Sequence, residues 1–180
     1  ETKFGQYIAE HQMASIVKGE YCTKDYLIKT EKFTKRQSFI GSTSVETKLD
    51  EINKKILMEL GNDARIPSVE IAKKLNISAD SVLVRIKKLQ QSEIIQNYNF
   101  IPNELEYPYI HHKMLVSLHN LSNNQEMKLK EYCRVNRNIW FFCSCLGPWN
   151  FEMDMDVSNT EEFRNLLREL KLHFSDIIKD

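Results

Sequence analysis

Apolar residues recur at three- and four-residue steps in Leu49, Ile52, Ile56, Leu57 and Leu60, which predicts an amphipathic helix with one buried stripe. Gly61-Asn62-Asp63 interrupts the pattern as a helix end and turn. A second helix is expected to open at Pro67-Ser68, because proline is tolerated where the first amides have no intrahelical partner. The pattern has it burying Val69, Ala72 and Leu75, with Lys73 and Lys74 outside. Asn76 suits the tight turn that follows, and Ser78 suits the N-cap of a third helix. There Val82, Ile86 and Leu89 face inward, leaving Asp80, Ser81, Val84, Arg85, Lys87 and Lys88 on outer or flanking faces. A hydrophobic strand, Ile94-Ile95-Gln96-Asn97-Tyr98, is expected to close a winged helix-turn-helix over residues 49–101.

After Pro102 the period changes. Residues 111–121 read as a strand, with Met114, Val116 and Leu118 alternating against Lys113, Leu115 and Ser117. Residues 124–137 read as a helix, and residues 139–146 as a second strand. Gly147-Pro148-Trp149-Asn150 is a turn into a third strand, with Phe151, Met153, Met155 and Val157 on one face and Glu152, Asp154 and Asp156 on the other. Asn159 caps a last helix whose stripe is Phe163, Leu166, Leu167, Leu170 and Phe174. The order strand-helix-strand-strand-helix is that of a ferredoxin-like unit lacking its last strand, over residues 102–180. The fold class is therefore α+β.

The first 48 residues fit neither unit. Tyr7-Ile8-Ala9 and residues 13–17 have strand character, residues 21–29 suit a strand or a helix, and residues 31–48 have the composition of a linker. Ile177-Ile178 stands where a final ferredoxin strand should begin. We read the chain as a fragment of a tandem protein, with residues 1–30 the tail of a preceding ferredoxin-like domain.

Charge changes this picture little. The 25 basic and 25 acidic residues balance, so no net field draws the chain to nucleic acid. Arg85, Lys87 and Lys88 form the basic cluster of the third helix, although Lys87 and Lys88 equally suit a solvated face. Cys22, Cys133, Cys143 and Cys145 make no CxxC pair; Cys143 and Cys145 share a strand face at a spacing poorly suited to a disulfide. With no signal peptide or membrane-length apolar span, the expectation is a cytoplasmic protein whose thiols pack as small hydrophobes, with no membrane partner.

The ordered motifs Leu49-Asp50 with Ile56-Leu57, Val69-Glu70-Ile71-Ala72-Lys73-Lys74-Leu75, Ile77-Ser78, and Val82-x-x-Arg85-Ile86-Lys87-Lys88-Leu89 through Ile94-Ile95 resemble the leucine-responsive regulator/AsnC family of transcription factors. The resemblance runs on to Asp180. It implies a sequence-specific regulator that binds double-stranded DNA, works as a homodimer or higher oligomer, answers to a small-molecule effector such as an amino acid, and is not an enzyme. Its DNA contacts would come from Ser78, Ser81, Val84, Arg85, Lys87 and Lys88. Its effector would sit at the turn Gly147-Pro148-Trp149-Asn150, where the family carries a Gly-x-aromatic-Asp signature. Three departures stand out. Glu93 replaces a glycine before the paired aliphatics, Leu83 and Val84 replace polar residues in the recognition helix, and Asn150 removes the charge suited to an ammonium group.

Other chemistries are thinly represented. Glu152, Asp154 and Asp156 share a strand face and would suit only a hard cation, whereas a polar face turned to water explains them without a metal. No metal, cofactor or catalytic residue is assigned. His111, His112 and Arg137 leave open an alternative, an enzyme resembling sirohaem decarboxylases of similar architecture. A further alternative is an oligomerisation module that has lost DNA contact, to which Leu83, Val84 and Glu93 lend weight.

Overall fold

A computed structural model describes residues 10–27, 38–40, 49–99, 102–103 and 106–179. They fall into two compact units, one between positions 43 and 102 and one joining the segments before position 42 to those after 103. The strand character noted at Tyr7-Ile8-Ala9 lies outside the described residues.

The first unit holds three helices: α1 (Glu51–Asn62), α2 (Ser68–Leu75) and α3 (Ala79–Gln91). Side chains supply the missing partners of two helix starts, with the Asp50 carboxylate accepting from the Asn53 amide at 2.7 Å and the Ser78 hydroxyl from the Ser81 amide at 3.2 Å. Asn76 takes the left-handed conformation at the end of α2, at φ 54°, a geometry that asparagine tolerates better than most residues. Ile56, Ile71, Ala72, Val82 and Leu89 form the buried core, with Leu49, Ile52, Leu60 and Leu75 packed around it.

Two expectations fail here. In α2 the buried positions are Ile71 and the expected Ala72, while Val69 stands exposed. Residues 94–98 form no strand: the Ile94 and Ile95 amides both donate to the Leu89 carbonyl at 3.0 Å, and both side chains pack on the helical core. These donors are spent closing the helix end and so are lost to a strand ladder. Glu93 has φ 57°, a left-handed turn made by a residue with a Cβ.

The second unit is a five-stranded antiparallel sheet of β1 (Ser15–Tyr21), β2 (Ser38–Ile40), β3 (Ile110–Val116), β4 (Ile139–Leu146) and β5 (Phe151–Val157), in the order β2-β1-β4-β5-β3. Helices α4 (Asn123–Val135) and α5 (Thr160–His173) contribute Leu129, Cys133, Leu166 and Leu170 to a core with Phe142, Phe151, Met153 and Met155. Ser122 and Gln125 close a capping box on α4, and Asn159 caps α5. Beyond α5, Ile178 bridges Leu118, and the Lys179 amide donates to the Ser117 carbonyl at 2.8 Å.

Sequence did not reveal that β1 and β2 extend this sheet. Residues 38–40, read as linker, pair with Gly19, Glu20 and Tyr21, and β1 lies along β4. Glu20, almost wholly buried, is held by Arg134 of α4 through two bonds of 2.7 and 2.8 Å. Gly19 lies close against β4, where a Cβ would crowd the Phe141 and Cys143 side chains at 3.0–3.1 Å. A register irregularity between Ile139 and Phe141 puts Ile139 and Phe142 into the helix-side core, while Phe141, Cys143 and Cys145 form a separate cluster with Ala14, Tyr21, Trp140 and Trp149.

Candidate nucleic-acid interface and effector turn

The residues expected to read DNA are separated by what holds them. Ser78 spends its hydroxyl on the α3 cap, and Ser81 is half-buried beside it. Lys87 and Lys88 are exposed, as are Leu83 and Val84 at 53 % and 54 %. Arg85 is engaged elsewhere. Its guanidinium donates to the Asp50 carboxylate at 2.6 Å and to the Asn53 side-chain carbonyl at 2.9 Å, tying α3 to the start of α1. The Asn53 amide and then Arg85 hold the Asp50 carboxyl below its ordinary range. The outer surface of α3 therefore offers two lysines and two aliphatic side chains, with Asp80 exposed in its first turn. That surface suits phosphate contacts and thymine methyl groups better than hydrogen bonding to base edges.

The expected effector turn is occupied by the chain itself. At Gly147 a Cβ would lie 2.7 Å from the Met13 carbonyl oxygen and 2.8 Å from Ala14 Cα, so glycine here admits the chain's own backbone. Asn150 accepts from the Leu118 amide at 2.7 Å and donates to the Leu118 carbonyl at 2.9 Å. Trp149 donates its indole N–H to Glu152 at 2.7 Å, and Pro148 is exposed. Aspartate at position 150 would lack that second, donating bond, which gives Asn150 a structural reason.

The acidic strand face is buried and paired, contrary to the expectation of a face turned to water. Asp154 and Asp156 are nearly inaccessible. Lys113 pairs with Asp154 at 2.9 Å and Glu152 at 3.3 Å. Asp156 accepts from Lys24 at 3.1 Å, contacts His111 at 3.0 Å, and is hydrogen-bonded by Tyr26, which also meets Tyr107. Burial pushes the Asp156 carboxyl up, but the Tyr26, His111 and Lys24 contacts outweigh it and hold it at about 2. Burial raises Glu152 likewise, yet Trp149 and Lys113 keep its carboxyl below the ordinary value. Burial and then Cys145 push the Cys143 thiol up to about 12.

His111, His112 and Arg137 do not converge. His111 faces Asp156, whereas His112 stacks on Phe163 of α5 with ring centroids 3.9 Å apart. Arg137 donates to the Tyr26 carbonyl at 3.5 Å.

A trihelical unit with a tight α2–α3 turn and an exposed third helix, in one chain with a ferredoxin-like sheet, defines a helix-turn-helix protein of α+β class. Residues 49–90 match the AsnC-type helix-turn-helix domain, and this part of the chain is similar to leucine-responsive/AsnC regulators. The leucine-responsive regulatory protein of Rhizobium meliloti is 42% identical over 59 residues, 33% of this chain and 38% of that protein. The transcriptional regulator LrpA of Pyrococcus horikoshii is 38% identical over 90 residues, 47% of this chain and 61% of LrpA. The chain thus spans less than two thirds of both curated relatives. Among solved structures, a transcriptional regulator from Neisseria meningitidis in an L-Met complex superimposes with a TM-score of 0.62 at 18% identity, covering 74% of this chain and 86% of that one. At that identity the likeness establishes the fold.

Proposed function

We propose that this chain is a DNA-binding transcriptional regulator that presents the outer face of α3 to the major groove of double-stranded DNA. The observation that carries the reading is the exposed surface of Leu83, Val84, Lys87 and Lys88 on the third helix of an AsnC-type domain. The lysines neutralise phosphate, the aliphatic pair rests against thymine methyl groups, and Arg85, its charge balanced by Asp50, braces α3 against α1. Ser78 and Ser81 stand at the start of α3, where the positive end of the helix favours a phosphate, although the Ser81 amide is already bonded to the Ser78 hydroxyl.

The ferredoxin-like unit supports self-association into a homodimer or higher oligomer, which places two recognition helices about one DNA turn apart. A small-molecule effector acts on this unit and shifts the assembly, changing DNA affinity. The L-Met complex of the Neisseria meningitidis regulator supports an amino acid as the class. At Gly147, Pro148, Trp149 and Asn150 such a ligand competes with Met13 and Ala14 for the space before the glycine. Among the described residues no helix is long and apolar enough to cross a membrane, in keeping with a regulator that works beside DNA in the cytoplasm.

Fluorescence anisotropy with a random-sequence duplex across a salt series tests this reading. Binding that weakens steeply with salt supports it. A second reading, an oligomerisation module without DNA contact, draws on the Arg85 side chain being spent on Asp50 and Asn53. A folded, oligomeric protein that fails to bind at low salt would establish that module instead.

A further inference from the structure

Across the sheet from the helices, β4 and β5 bring together three metal-ligating groups that the regulator reading does not use. Cys143 sits directly opposite Glu152 in the β4–β5 register, and Cys145 follows two positions along β4. The Cys143 and Cys145 sulfurs are 3.5 Å apart, and both sulfurs and a Glu152 carboxylate oxygen all lie within 4.8 Å of one another. We propose that Cys143, Cys145 and Glu152 bind a thiophilic divalent cation of the zinc class, which clamps β4 to β5.

The distances fit such an ion with little movement. Two thiolates on a tetrahedral zinc, with Zn–S near 2.3 Å, stand about 3.8 Å apart, and a carboxylate oxygen at about 2.1 Å from the metal falls inside the same radius. Only side-chain torsions need change. The donor set selects the metal, because paired sulfurs exclude hard cations while the carboxylate favours zinc over monovalent copper.

The surroundings suit a bound ion. Two thiolates and one carboxylate leave a single surplus negative charge on a divalent cation, and Lys113, 3.3 Å from Glu152 and shared with Asp154, offsets part of it. Trp149 donates to the same carboxylate at 2.7 Å, an outer hydrogen bond that aims a metal-ligating oxygen. Tyr21, Phe141, Trp140 and Ala14 pack about the cysteines and exclude water. Glu152 retains some solvent exposure, which gives the ion an entry side and a fourth ligand from water. A disulfide does not compete well for these sulfurs, since alternate positions of one strand are poorly spaced for it.

Titration of the reduced, metal-free chain with Co2+, followed by Zn2+, tests the site. The expected result is one bound Co2+ per chain with a thiolate-to-cobalt charge-transfer band, displaced by Zn2+. Cys143→Ser and Cys145→Ser should each abolish the band, and Cys133→Ser should keep it. Glu152→Gln and Trp149→Phe should each weaken Co2+ binding about tenfold or more. Those two variants leave the thiols in place, so they carry the test if circular dichroism shows that a serine variant unfolds. A folded wild-type chain without the band, a band surviving loss of either cysteine, unchanged affinity in both Glu152→Gln and Trp149→Phe, or binding of Cu+ alone would overturn the assignment.

Discussion

Replacing Gly147 with alanine separates a turn built for packing from a turn built only for a ligand. The added Cβ would sit 2.7 Å from Met13 O, 2.8 Å from Ala14 Cα and 2.9 Å from Ala14 Cβ. Favourable carbon contacts begin near 3.5 Å, so all three approaches are repulsive. Two of the three atoms belong to the backbone, and no rotamer change can relieve them. The turn or the entry to β1 must shift, at a cost of about 1–3 kcal/mol, the usual range for overpacking. With a urea dependence of about 2 kcal/mol per molar, the unfolding midpoint should fall by about 0.5–1.5 M. Trp140 and Trp149 lie in this neighbourhood and report the transition by fluorescence. Adding Ala14→Gly removes the Cβ clash but leaves the Met13 carbonyl and the Cα at position 14, so it should restore only part of the loss. A midpoint unchanged to within about 0.2 M would refute the packing account and return the glycine to a purely ligand-facing role.

Glu93→Gly should raise the stability of the helix-turn-helix unit by about 1 kcal/mol in a denaturation series, because glycine adopts φ near 57° without the Cβ penalty. Asp156, held at about 2 against an ordinary 3.8, lends stability that is present above pH 4 and lost as the pH falls toward 2. Asp156→Asn should therefore flatten the acid limb of a stability–pH profile, and an unchanged slope over that window would contradict the network. Arg85→Ala should lower the thermal midpoint of the chain, Asp50→Ala should lower it further because the α1 cap is lost as well, and the double variant should lose less than the sum of the two; additive losses would show that the two side chains act independently.

Most elements were legible because one face of each repeats cleanly. The α5 stripe, the two faces of β5 and the Ser78 and Asn159 caps followed from local chemistry, and the structure places them as read, except that the acidic face of β5 is buried and not turned to water. The segment after α3 misled because Ile94 and Ile95 suit a strand by composition, while the Leu89 carbonyl captures both amides. Strand β2 was hidden because three residues among serines and lysines carry little pattern, and its pairing with β1 is a long-range fact. The N-terminal segment's place along β4 was equally invisible, although Gly19 and Glu20 are the residues on which it depends.

The site was legible only in outline. Spacing alone identified the outer face of α3, but the withdrawal of Arg85 depends on the position of α1. The meeting of Cys143 and Cys145 with Glu152 follows from cross-strand register, which a one-residue slip would abolish. The Gly147 turn drew attention through its glycine and tryptophan, and the structure supplies an intramolecular reason for both.

The central claim is that α3 enters the DNA groove by its exposed face, and Val84→Asp tests it most directly. Val84 is 54 % exposed, so aspartate there leaves the core untouched while putting a negative charge against phosphate and base edges. Anisotropy with duplex DNA at fixed low salt should show affinity falling by about tenfold or more, one or two kcal/mol of lost interaction, with an unchanged circular dichroism spectrum. Equal affinity for wild type and variant would contradict the account and place any DNA contact elsewhere on the chain.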